Sequence, residues 1–126
     1  MSVKVLIVED DRTISEMYKL KLELVGFDIS VAFDGKEGLQ LAEKHQPHLI
    51  LLDLRMPVMS GDEMLEQMRS TEWGSKPRVV VLTNISKDEA PMKLRFLSVD
   101  RYVVKAHHTP QQIVDVIREV LGENIA

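Results

Sequence analysis

The chain opens with Val3-Lys4-Val5-Leu6-Ile7-Val8-Glu9-Asp10-Asp11, a short branched apolar run that ends abruptly in three acids. The run is too short for a buried helix and rich in valine and isoleucine. It therefore predicts a strand covered on both faces. Four more runs follow it: Asp28–Ala32, Leu49–Leu52, Val79–Leu82 and Tyr102–Val104. Between them, apolar residues recur at helical spacing. Ile14, Met17, Tyr18, Leu24 and Val25 share the face of a first helix. Leu39 and Ala42 anchor a second, Met64, Leu65 and Met68 a third, and Leu94 and Leu97 a fourth. The fifth is the clearest, with Ile113, Val114, Ile117, Val120 and Leu121 on one stripe. Thr109-Pro110 reads as an N-cap followed by proline at the first helical position. Asp34-Gly35, Ser60-Gly61 and Gly26 punctuate other helix ends.

Five strands alternating with five helices imply right-handed βαβ units and a parallel sheet with helices on both faces. Runs one, three and four are almost wholly apolar, as central strands should be. Asp28-Ile29-Ser30-Val31-Ala32 alternates and Tyr102–Val104 is short, so both suit edges. The predicted strand order is then 2-1-3-4-5, a flavodoxin-like sheet. In such sheets the functional crevice lies at the carboxyl ends of the strands where the order reverses, between strands 1 and 3. The 126 residues and 14.4 kDa fit one domain, 1–126, without repeats or a low-complexity linker. The tail Gly122–Ala126 is expected to fray.

Composition narrows the function classes. Hydrophobic residues make up 44% and charged residues 29%, which argues against disorder. The net charge of −4 argues against nucleic-acid binding through this chain. The absence of cysteine excludes disulfides, thiolate zinc sites and cysteine nucleophiles. No apolar run reaches the roughly 18 residues of a membrane span. The start, Met1-Ser2-Val3-Lys4, lacks the pattern of a signal peptide. A soluble, cytoplasmic protein is expected.

Glu9, Asp10 and Asp11 end strand 1, and Asp53 ends strand 3. Neighbouring strand ends crowd these carboxylates into one crevice, where like charges repel unless a cation compensates. A carboxylate-rich, all-oxygen site suits Mg²⁺. Taken alone, Glu9–Asp11 reads equally well as the acidic start of a helix. Thr83 closes strand 4 and Lys105 follows strand 5, so both join the same edge. Each alone is as readily an ordinary strand threonine or a surface lysine.

Together these pieces resemble the receiver domain of two-component response regulators. The resemblance rests on Leu6-Ile7-Val8-Glu9-Asp10-Asp11, on Leu51-Leu52-Asp53-Leu54-Arg55-Met56-Pro57 with Gly61, on Val80-Val81-Leu82-Thr83, and on Tyr102-Val103-Val104-Lys105. It implies a phosphorylation-dependent signalling switch, not a turnover enzyme. Asp53 would be the phosphoryl acceptor. Glu9, Asp10, Asp53 and the main-chain carbonyl of Arg55 would hold Mg²⁺. Lys105 would stabilise phosphoryl charge, Thr83 would be the switch hydroxyl, and Tyr102 the aromatic that changes rotamer with it. Pro57 and Gly61 would shape the intervening loop, Gly61 by permitting a special turn. A sensor histidine kinase, a phosphotransfer protein or a small phosphodonor would supply the group. The downstream protein target would meet the face of helix 4, strand 5 and helix 5, and phosphorylation could drive homodimerisation.

Asp11 reads better as a helix-initiating acid than as a ligand. His45, His48, His107 and His108 show no ligand spacing, and Trp73 reads as a partly exposed loop residue. Three positions depart from the family pattern: Ala106 follows Lys105 in place of proline, Asn84 follows Thr83, and Ser98 stands where glycine is frequent. A non-proline cis bond costs roughly 3 kcal/mol, so Lys105–Ala106 is expected to be trans. Asn84 is expected to cover part of the site, and Ser98 to alter the turn before strand 5. The alternative function is a phosphorylation-independent receiver-like interaction module, which would call for a broken acidic pocket. An aspartate-nucleophile phosphatase would need a cap domain and its acid after the nucleophile. A flavin binder would need a phosphate-cradling loop after strand 1.

Overall fold

A computed structural model describes residues 2–122. The expected fraying of residues 123–126 lies outside them. The elements are β1 (Lys4–Val8), α1 (Arg12–Leu24), β2 (Asp28–Ala32), α2 (Gly35–His45), β3 (Leu49–Leu52), α3 (Gly61–Arg69), β4 (Arg78–Thr83), β5 (Arg101–Val104) and α4 (Pro110–Leu121). All strand pairings are parallel and the order is β2-β1-β3-β4-β5, as the sequence predicts.

The sheet divides the core in two. Ile7, Leu49, Leu51, Val80 and Leu82 face α1 and α4, where they meet Leu22, Ile113 and Ile117. Leu6, Val8, Ile50, Leu52 and Val81 face α2 and α3, where they meet Ala42, Met64, Leu65 and Met68. The two-residue period of the strands sends alternate side chains to opposite layers. This is why the central runs are apolar throughout, each buried side chain contributing roughly 1.5–3 kcal/mol.

Helix starts follow their caps. Asp11, Asp34, Ser60 and Thr109 each accept a backbone N–H of the first turn, and Ser60–Glu63 and Thr109–Gln112 form capping boxes.

The expected fourth helix is absent, so the sheet carries four α-helices and not five. Two 3₁₀ turns, Lys87–Glu89 and Met92–Phe96, replace it. Pro91 separates them. Proline supplies no N–H and pushes the preceding residue out of helical geometry; Ala90 accordingly sits at φ −65, ψ 146.

One turn reading also changes. Gly61 is the first residue of α3 and has ordinary backbone; the left-handed residue of that loop is Val58, at φ 68. Gly61 is required by crowding, because a Cβ there would lie 2.0 Å from the Asp53 carbonyl oxygen. Ser98, in the turn before β5, takes φ 54, the conformation glycine adopts freely. Arg69 holds that turn, donating from Nε to the Leu97 carbonyl and from its guanidinium to the Ser98, Gly74 and Pro77 carbonyls, all within 2.8–2.9 Å. The Lys105–Ala106 bond is trans.

Candidate functional site

β1 and β3 lie side by side in register, Val8 opposite Leu52, so Glu9 and Asp53 leave the sheet together. Backbone bonds fix both: the Glu9 N–H donates to the Ala32 carbonyl and the Asp53 N–H to the Val8 carbonyl, each at 3.0 Å. The loop after β3 is pinned at two more points. Gly61 donates to the Leu54 carbonyl, and Gly35, at the start of α2, donates to the Met59 carbonyl. A side chain at Gly35 would meet that carbonyl oxygen at 2.3 Å, so α2 and the loop touch backbone to backbone.

Glu9 and Asp53 are buried, at 5% and 8% exposure, whereas Asp10 faces solvent. One carboxylate oxygen from each of the three lies within 4.8 Å of the others. Asp53 Oδ1 accepts the Leu54 N–H at 2.7 Å, and Oδ2 accepts from Lys105 Nζ at 3.1 Å. Lys105 also pairs with Glu9 Oε1, and Glu9 Oε2 accepts the Asp11 N–H at 3.1 Å. Burial pushes the Glu9 carboxyl above its usual value, more than its bond to Lys105 pulls it down. Burial acts against the Lys105 ammonium, but its two carboxylate partners outweigh that and leave it above its usual value.

Three carboxylates against one ammonium leave a double negative charge on hard oxygen donors. That is the charge and chemistry a Mg²⁺-type cation balances. Among the described residues this is the one grouping of side chains that could hold a metal ion. Asp11 stands apart: its Oδ1 caps α1 through the Ile14 N–H, as expected. His48 is at the opposite end of the sheet, where Nδ1 accepts the Lys4 N–H.

A cleft of about 320 Å³ opens beside Asp53, lined by Arg55, Thr83, Ile85, Glu89 and Lys105 among others. Asn84 also lines it, as the sequence suggests. Thr83 is 1% exposed, and its Oγ1 accepts the Ile85 N–H at 3.4 Å. The Tyr102 hydroxyl donates to the Ile85 carbonyl at 2.7 Å, tying β5 to the segment after β4. Burial first, then the charges of Asp53 and Glu89, push the Tyr102 phenol up and keep it a donor.

Two contributors are not legible in the sequence. Tyr18, read there as one of the apolar face of α1, lines a small void with Glu9 and Asp53. Burial raises its phenol; Lys105 opposes this and Glu9 adds to it. Glu89, which lines the cleft, sits in the 3₁₀ turn Lys87–Glu89 and not in the α-helix expected there. Trp73, expected to be a loop residue, lies half-buried in a 3₁₀ turn against the α2–α3 layer.

Residues 5–118 match the family model described as response regulator receiver domain. A transcriptional regulatory protein of Bacillus subtilis, YkoG, is 34% identical over 122 residues, covering 95% of this chain and 51% of that protein. The alkaline phosphatase synthesis regulator PhoP of the same organism is 32% identical, covering 96% and 49%. The chain thus spans about half the length of the curated relatives it matches. A CheY-like receiver domain protein from Methanospirillum hungatei superposes with a TM-score of 0.87 at 28% identity, covering 98% of this chain and 96% of that one. The receiver domain of Francisella response regulator 1452 gives 0.85 at 27% identity, covering 98% and 100%.

Proposed function

Because the chain belongs to the response regulator receiver domain family, a family of signalling proteins and not of turnover enzymes, we propose that it is a phosphorylation switch with Asp53 as the acceptor. The single observation that carries this is the setting of Asp53: buried at the end of β3, one oxygen on the Leu54 amide, the other on Lys105, with Glu9 and Asp10 in reach.

A carboxylate oxygen of Asp53 attacks the phosphorus of a phosphohistidine on a kinase or phosphotransfer protein, or of a small phosphodonor; the acyl phosphate forms as the bond from phosphorus to the donor's nitrogen or oxygen breaks, its electron pair leaving with the donor. Lys105 follows the new charge, as an ammonium 3.1 Å from the acceptor can. Glu9, Asp10, Asp53 and the Arg55 carbonyl are the groups that would hold Mg²⁺, which when bound supplies positive charge to the transferring oxygens. Thr83, whose Oγ1 accepts the Ile85 N–H, then donates its hydroxyl proton to a phosphoryl oxygen. Tyr102, bonded to Ile85, passes the change outward. The readout face comprises the Lys87–Leu97 segment, β5 and α4, where Met92 and Phe96 stand 69% and 81% exposed. A protein target, or a second copy of the chain, would bind there. Residues 1–126 act as one receiver domain in this scheme. Among the described residues no helix is long and apolar enough to cross a membrane.

The test is incubation with acetyl phosphate and Mg²⁺, read by intact mass. Wild type gains one phosphoryl group and Asp53→Asn gains none. Equal modification of the mutant refutes the acceptor, and no uptake by wild type leaves a phosphorylation-independent interaction module.

A further inference from the structure

Among the described side chains that line the cleft beside Asp53, Glu89 alone combines a free acceptor oxygen with the ability to take a proton. Lys105 and Arg55 are cations with only donors. The Asn84 amide can orient a water but cannot accept its proton. Thr83 is buried, and the Ser86 hydroxyl donates to Glu89 Oε1 at 3.0 Å. Glu9 is bonded to Lys105 and to the Asp11 amide. The Ser86 bond closes a tight turn that holds Glu89 Oε1 and leaves Oε2 for another donor. Glu89 and Asp53 line the same cleft, with Arg55, Ile85 and Lys105.

From this arrangement we propose that Glu89 is the general base that clears the switch, removing the proton from a water that hydrolyses phosphorylated Asp53. The inference rests on the reading of Asp53 as the acceptor. The water oxygen forms the new bond to phosphorus. The bond from phosphorus to the Asp53 oxygen breaks, its electron pair returning to the carboxylate. The water proton passes to Glu89, which later releases it to solvent, and inorganic phosphate leaves. No oxidant or further reactant is required. Arg55 and Ile85 line the same cleft and restrict how many waters approach, so the lifetime is set by shielding against one basic group.

Glu89→Gln is the informative variant, because its amide oxygen still accepts from Ser86 and preserves the turn. The protein is loaded with acetyl phosphate and Mg²⁺, desalted, and followed by phosphate-affinity gel. Decay should slow about tenfold in Glu89→Gln, below the 10²–10⁴ range of enclosed bases because this carboxylate is exposed. Glu89→Asp should fall between the two. Asp88→Asn, which removes a neighbouring charge outside the cleft, should decay like wild type. Normal loading with an unchanged or faster decay in Glu89→Gln overturns this inference alone. An equal slowing in Asp88→Asn also overturns it, since a general charge effect would then suffice. Failure of wild type to load overturns the acceptor assignment and this inference with it.

Discussion

Two crossovers leave neighbouring central strands and are built in opposite ways. After β3, the chain makes a pinned loop: Gly61 and Gly35 press against backbone, a capping box starts α3, and Met64, Leu65 and Met68 are fully buried. After β4, Pro91 splits the crossover into two 3₁₀ turns, Leu94 is its one buried side chain, and Met92 and Phe96 face water. In the proposed scheme the first crossover follows the acceptor and the second carries the readout. A site that must hold like charges a few ångströms apart needs a stiff frame. A segment that must change shape needs few buried contacts, since local opening costs least where burial is least.

The contrast fails first if the β3 loop can yield. Gly61→Ala drives a Cβ to 2.0 Å from the Asp53 carbonyl oxygen. It should destabilise by about 3 kcal/mol in urea unfolding, the upper end of overpacking. A loss under about 1 kcal/mol would mean that the loop moves aside and is not stiff.

Within the stiff half, charge placement separates two adjacent acids. Asp10→Asn should weaken Mg²⁺ binding about tenfold or more by calorimetric titration, roughly 1.4 kcal/mol. Asp11→Asn should leave it nearly unchanged, because asparagine keeps the α1 cap. Equal effects would refute the division of labour drawn from the geometry.

Arg55 and Ile85 come one from each crossover. Phosphorylated Asp53 should lose its group several-fold faster in Arg55→Ala/Ile85→Ala, both shields being gone. A double mutant that keeps its phosphate as long as wild type would show that neither side chain limits water.

Lys105 ties Glu9 and Asp53 together electrostatically at the acidic end of the sheet. Its folded value is raised above the ordinary 10.5, so its contribution to stability is complete below that value. The contribution is lost as pH rises through the folded value. Lys105→Met should therefore flatten the alkaline fall of a pH-dependent melting curve, and an unaltered curve would show that the ion pairs contribute nothing net.

The smallest effect is expected in the loose crossover. Pro91→Ala restores an N–H and a helix-tolerant residue, so helical circular dichroism should rise with a stability change under about 1 kcal/mol, the segment being mostly exposed. An unchanged spectrum would mean that something other than proline breaks the helix.

Local pattern alone carries the five strands, their order, the residues at the four helix starts and the acidic end of the sheet. A strand buried on both faces needs an unbroken apolar run, an edge strand alternates, and a residue that ends a parallel strand is delivered to one edge wherever its helix goes. Glu9, Asp10, Asp53, Thr83 and Lys105 were legible for that reason. The missing fourth helix was legible in principle from Pro91, but the Leu94–Leu97 spacing outweighed it. What depends on loop paths emerged with the packed fold. It set Arg69 under four carbonyls and assigned the left-handed turns to Val58 and Ser98. It made Gly61 a matter of crowding and brought Glu89 into the cleft of Asp53. Such contacts join residues far apart in the chain through segments with no period of their own, so no local pattern encodes them. They follow from how the packed sheet and helices force the connecting backbone to run.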